Sequence, residues 1–190
     1  ALHQHGFPEA VGVLGTALTP QQVKRLTGFI RQVTLVFDGD PAGEKAALRS
    51  AQMLLSQGAE CRVVLLPQGE DADSLLKSGG AEAFKGFLDS AREGLDFCLA
   101  TIRRMRSSKE VVDWALEFLD GLPSDLMRAG LLTRLAHGLG TGEHELRNLA
   151  ASRLSRAGKA AGAASPEAAR RTRPVSAEAK KDAQILEFAI

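Results

Sequence analysis

Val33-Thr34-Leu35-Val36-Phe37, followed at once by Asp38-Gly39-Asp40-Pro41-Ala42-Gly43, is the stretch on which the fold turns. An unbroken apolar and β-branched run suits a strand buried on both faces. Proline at Pro41 suits the first position of a helix. Two more runs of strand length occur at residues 10–14 and 61–66. Helical segments lie between them. Thr19 and Pro20 form an N-cap and helix start, and Leu26, Phe29 and Ile30 continue its apolar stripe. After Pro41, Ala47, Leu48, Ala51, Leu54 and Leu55 recur at helical spacing until Gly58 ends the helix. The order βαβαβ predicts right-handed crossovers and an α/β fold built on an open parallel sheet with flanking helices.

Beyond residue 80 the strand signal ends. Amphipathic segments at 81–91, 94–106, 109–120, 124–138 and 143–154 predict an all-α part, punctuated by Gly121 and Pro123 and then by Gly138, Gly140 and Gly142. Residues 155–176, rich in Ala, Ser, Gly, Pro and Arg without apolar periodicity, read as a flexible basic linker. An amphipathic start follows at 177–190, where Ile185, Leu186, Phe188 and Ile190 call for a partner surface. Of 190 residues, 44% are hydrophobic and 25% charged, and the net charge is +1, which excludes a uniformly basic nucleic-acid coat. Charge is uneven: residues 1–98 hold 9 basic and 12 acidic side chains, residues 99–190 hold 15 and 11. No apolar run reaches the ~20 residues that span a bilayer. Cys61 and Cys98 make no metal-ligand spacing and read as buried thiols of a reducing cytoplasm. A start at Ala1 and an end inside an amphipathic segment point to a piece of a longer chain.

Chemistry concentrates where the carboxyl ends of the strands are expected, the edge that carries ligand sites in open α/β sheets. In extended backbone Asp38 and Asp40 face the same way, so they offer two hard oxygen ligands to Mg²⁺ or Mn²⁺. The alternative is a turn in which Asp40 merely caps the next helix. Gly69-Glu70-Asp71-Ala72-Asp73-Ser74 follows the next strand, and a parallel crossover brings Asp71 and Asp73 to the same edge. Four carboxylates without an interleaved cation support a multi-metal site; the alternative is that Asp73 or Ser74 caps a helix over 74–78. Gly15 and Thr16, after the first strand, offer a weak phosphate contact; the alternative is a simple strand-to-helix turn. Lys24, Arg25 and Arg31 read as solvated helix residues, with a nucleic-acid contact the alternative for Arg31; His3 and His5 read as surface or packing residues, and Trp114 as core with Val111, Ala115 and Phe118.

Three blocks, Leu14–Thr19, Val36–Ala47 and Leu66–Leu76, resemble in order and spacing the latter part of the Toprim domain of bacterial replicative primases of the DnaG family. The resemblance implies a Toprim part over 1–93, a helical subdomain of the RNA polymerase region over 94–154, a linker over 155–176 and the start of a helicase-binding domain over 177–190. It implies that Asp38 and Asp40 are catalytic metal ligands, with Asp38 shared between ions, and that Asp71 and Asp73 complete the cluster. A Glu-Gly-Tyr-x-Asp motif, a zinc-binding domain and a basic template-holding subdomain would lie upstream, so zinc is expected only there. Implied partners are a single-stranded DNA template, ribonucleoside triphosphates, an RNA–DNA hybrid and, through the carboxyl-terminal region, the replicative helicase. The implied place is the cytoplasm, at the replication fork, with no membrane. Another Toprim enzyme, a nuclease or topoisomerase, and a non-catalytic metal-bound docking module are the competing expectations.

Overall fold

A computed structural model describes residues 1–13 and 18–162. A 3-10 turn, Leu2–His5, precedes helix α1, Pro20–Thr27. Thr19 caps α1 as its sequence demands: its hydroxyl accepts the Gln22 N–H at 3.3 Å and its own N–H donates to Gln22 Oε1 at 2.8 Å. Phe29 and Ile30 do not extend the apolar face. The helix has stopped at Thr27, both of their N–H groups bond back to the Leu26 carbonyl, and Phe29 is 84% exposed.

Strand β1, Gln32–Phe37, pairs in parallel with β2, Glu60–Leu65, in the register Val33 to Cys61 and Phe37 to Leu65, with helix α2, Pro41–Ser56, crossing between them. A two-residue strand β3, Arg92–Glu93, adds antiparallel to β2 after helix α3, Ala72–Asp89. Arg62 holds this return by donating to the carbonyls of Asp89 (3.1 Å) and Ala91 (2.9 Å). The strand expected at 10–14 does not form over its described residues. Gly12 makes an isolated bridge in an irregular stretch, consistent with the weakness of glycine inside a strand. Helix α3 is broken at Gly80, whose φ of +72° suits a residue without Cβ.

Helices α4 (Gly94–Met105), α5 (Ser108–Asp120), α6 (Asp125–Leu139) and α7 (Glu143–Gly162) follow. α4 starts at Gly94, where a Cβ would lie 2.2 Å from Cys61 Sγ, and Glu93 caps the helix by accepting the N–H groups of Leu95 and Asp96. Gly140, at φ +68°, closes α6. Helix α7 continues eight residues into the stretch read as linker, where Ala157, Ala160 and Ala161 favour helix. The rest of that stretch and the segment 177–190 lie outside the described residues.

Side chains alternate across β2. Cys61 and Val63 join a core shared by α2 and α4 that runs on through Trp114, Leu119, Leu135 and Leu146. Val64 turns to the other face, where Leu2, Leu66, Leu75, Leu76 and Phe84 form a second cluster under α3. One core thus joins the sheet to the helical part and fixes the helices relative to the carboxyl ends of β1 and β2.

Candidate functional site

The two parallel strands end together: the Leu66 N–H donates to the Phe37 carbonyl at 2.8 Å. Immediately past this bond the chain can pass only as glycine, since a Cβ on Gly39 would stand 1.9 Å from the Leu66 carbonyl oxygen. Asp40 is extended, caps α2 and accepts the Gly43 N–H on Oδ1 at 2.6 Å. Gly43 lets this turn close, because a Cβ would lie 2.2 Å from the Asp38 carbonyl oxygen. Both carboxylates are exposed. Asp38 makes no hydrogen bond or ion pair among the described residues, and Asp40 keeps Oδ2 beside its capping oxygen. They open onto a groove of about 760 Å³ that runs along the whole of β1. Such a pair, hard, anionic and water-facing, fits a divalent cation that retains part of its hydration.

Asp71 and Asp73 are placed differently from the expectation. Asp71, not Asp73 or Ser74, is the N-cap of α3, and it accepts the Ser74 N–H at 2.7 Å while Ser74 Oγ accepts the Asp71 N–H at 3.0 Å. That backbone bond holds the Asp71 carboxyl below the usual carboxylate range. Asp73 is paired with Lys77 one turn on, at 2.5 Å, and this contact raises the Lys77 ammonium above its ordinary value. Neither lines the groove that Asp38 and Asp40 face. No group of three or more His, Cys, Asp or Glu among the described residues is gathered to hold a metal. The expected convergence of four carboxylates is therefore absent: local partners hold Asp71 and Asp73. Lys77, four residues after Asp73, is the cation that sequence reasoning left out, although its i,i+4 spacing was legible. Gly15 and Thr16 lie outside the described residues.

The remaining candidates are structural. Cys61 and Cys98 are buried, and burial pushes the Cys61 thiol up to about 12 and the Cys98 thiol up as well. His3 Nε2 and His5 Nδ1 bond the carbonyls of Ala10 and Ala1 and pin the amino-terminal turn. Trp114 is 6% exposed and stacks on Phe118 at 5.7 Å.

A family model described as a Toprim domain matches residues 1–65. A DNA primase of Haemophilus influenzae is 32% identical over 167 residues, covering 83% of this chain and 28% of the relative. The crystal structure of a DNA primase domain from Pseudomonas aeruginosa superposes with a TM-score of 0.69 at 29% identity, over 78% of this chain and 50% of that one. The chain belongs with the bacterial DnaG-type primases. A DnaG primase catalytic domain solved with bound single-stranded DNA matches similarly, with a TM-score of 0.65, 27% identity and coverage of 76% and 49%. The chain thus spans about half of the solved chains and 28% of the Haemophilus relative. The Toprim match includes the Asp38–Asp40 turn. No helix among its described residues is long and apolar enough to cross a membrane.

Proposed function

We propose that this segment carries part of the catalytic centre of a DNA primase, an enzyme that joins ribonucleotides into short RNA primers on single-stranded DNA. The observation that carries the reading is the exposed Asp38–Asp40 pair, held by a turn of interlocked glycines at the carboxyl end of β1. Asp38 and Asp40 would hold the divalent ion, Mg²⁺ or Mn²⁺. Once bound, such an ion neutralises triphosphate charge and lowers the cost of ionising an attacking 3′-hydroxyl.

The residues themselves do the holding. Gly39 and Gly43 press the turn against the Leu66 and Asp38 carbonyls, so the Asp38 and Asp40 backbones have little room to move. The cap bond fixes one Asp40 oxygen and leaves the other for a ligand. Rigid placement of this kind counts in nucleotidyl transfer, where hydroxyl, α-phosphate and metal need near-attack alignment. In transfer, the 3′-oxygen forms a bond to the α-phosphorus, the bond to pyrophosphate breaks, and the hydroxyl proton passes to solvent. Asp71 and Asp73, implied as ligands by the resemblance, cap α3 and pair with Lys77 and do not line the groove, so the reading rests on Asp38 and Asp40. Single-stranded DNA, ribonucleoside triphosphates, the nascent hybrid, a zinc-binding domain and the helicase contact belong to the whole enzyme in this proposal, as does its cytoplasmic place at the fork.

The test is templated primer synthesis by the full-length protein. It should need ribonucleoside triphosphates, a single-stranded template and a divalent ion, and it should fail in Asp38→Ala. The 190-residue chain alone should make no primers. Undiminished synthesis by Asp38→Ala would refute the assignment; loss of synthesis in the wild-type protein with DNA cleavage in its place would favour a Toprim nuclease.

A further inference from the structure

Glu44 stands in the first turn of α2, and its carboxylate is bound by the guanidinium of Arg104 in the last turn of α4. The Glu44 side chain is only 18% exposed and that of Arg104 is 65% exposed. The two elements are 60 residues apart in the chain. With Arg104 largely exposed, the pair adds little to stability by itself. The Glu44 N–H donates to the Asp40 carbonyl at 2.9 Å, and the N–H of the neighbouring Gly43 donates to Asp40 Oδ1 at 2.6 Å. The backbone that Arg104 grips is therefore the backbone that orients the Asp40 carboxylate. The grip comes from a fixed support: the adjacent Arg103 donates to the Gly138 carbonyl near the end of α6, so the end of α4 is itself tied down.

We propose that Arg104 is a positioning residue, which through Glu44 holds the first turn of α2 so that Asp40 stays beside Asp38 at the cation-binding turn. The inference rests on the metal reading above and extends the centre to the helical part of the chain. It also gives that part a task beyond packing: α4 carries a restraint on the acidic turn.

Geometry and bare electrostatics predict opposite outcomes for one of the two partners. If charge alone mattered, Arg104→Ala would leave the Glu44 carboxylate uncompensated and tighten binding of a divalent ion, while Glu44→Gln would loosen it. If position matters, both substitutions free the turn and both weaken binding. The experiment uses the 190-residue chain with Mn²⁺ as probe, titrated by water-proton relaxation, and amide hydrogen exchange of Gly43 without metal. Expected are a weakening of about two- to fivefold in each single variant and a double variant no weaker than either single. Partial recovery is expected in Arg104→Lys, and faster Gly43 exchange in both Arg104→Ala and Glu44→Gln. Tighter Mn²⁺ binding by Arg104→Ala, or unchanged Gly43 exchange in both variants, would overturn the proposal. Absence of Mn²⁺ binding by the unaltered chain would refute the metal reading, whereas faster Gly43 exchange in the variants would still support the restraint by Arg104.

Discussion

Substituting Gly39 by alanine tests whether the acidic turn is built by close backbone approach. The added Cβ would meet the Leu66 carbonyl oxygen at 1.9 Å, the Leu66 carbonyl carbon at 3.0 Å and the Gln68 nitrogen at 3.1 Å. All three are backbone atoms. No side chain can swing aside, so the strand ends must part, and the bond from the Leu66 N–H to the Phe37 carbonyl is the nearest to suffer. Overpacking typically costs about 1–3 kcal/mol, and a contact with backbone belongs at the upper end. For a chain of this length that lowers Tm by roughly 6–12 °C. Gly130→Ala is the control: Gly130 lies inside α6 with nothing within 4 Å of an added Cβ. It should gain about 1 kcal/mol, or roughly 2–4 °C. Differential scanning calorimetry of the three proteins gives both numbers. A Gly39→Ala protein that melts with the unaltered chain would refute the close-approach argument, because the turn would then have room that the structure denies it.

Other outcomes follow from the same contacts. Asp71→Ala removes the cap of α3; because the folded-state pKa of Asp71 is depressed, its stabilisation is present above the unfolded value of about 3.9 and disappears as pH falls through the depressed value. Circular dichroism between pH 5 and 2 should show a shallower acid dependence in the variant than in the unaltered chain. Trp114→Ala deletes a side chain that is 6% exposed and stacked on Phe118, and should cost about 3–5 kcal/mol by urea denaturation. Cys61 and Cys98, buried and with raised pKa values, should resist a maleimide at pH 7 in the folded chain and react once urea unfolds it.

Elements whose signals are local were legible in the sequence. Thr19, Pro20 and Gln22 contain all the groups of the α1 cap, and Asp40 with Pro41 marks the start of α2. Gly140 falls where α6 must close with positive φ. Features that depend on distant groups were hidden. Strand β3 is two residues long and owes its place to Arg62 reaching the carbonyls of Asp89 and Ala91, which no periodicity can reveal. Residues 10–14 carry the composition of a strand, yet composition does not supply a neighbour to pair with. At the site, the Asp38–Asp40 turn was recognisable from strand, acid, glycine and proline in sequence. The role of Gly39 was not, because it depends on Leu66, 27 positions further on. Asp71 and Asp73 both follow β2, as expected, while the cap of α3 and the pair with Lys77 that they make lie within four residues and are not supplied by topology.

The most direct test is a Mn²⁺ titration followed by water-proton relaxation in three proteins: the unaltered chain, the double variant Asp38→Asn, Asp40→Asn, and Asp73→Asn. Asparagine caps a helix about as well as aspartate, so the double variant removes charge from the turn while α2 keeps its start. If the ion is held at the Asp38–Asp40 turn, as proposed, binding should be lost in the double variant and should stay within about twofold of the unaltered chain in Asp73→Asn. Equal binding by the unaltered chain and the double variant, or loss of binding in Asp73→Asn, would contradict the placement of the cation centre at the end of β1.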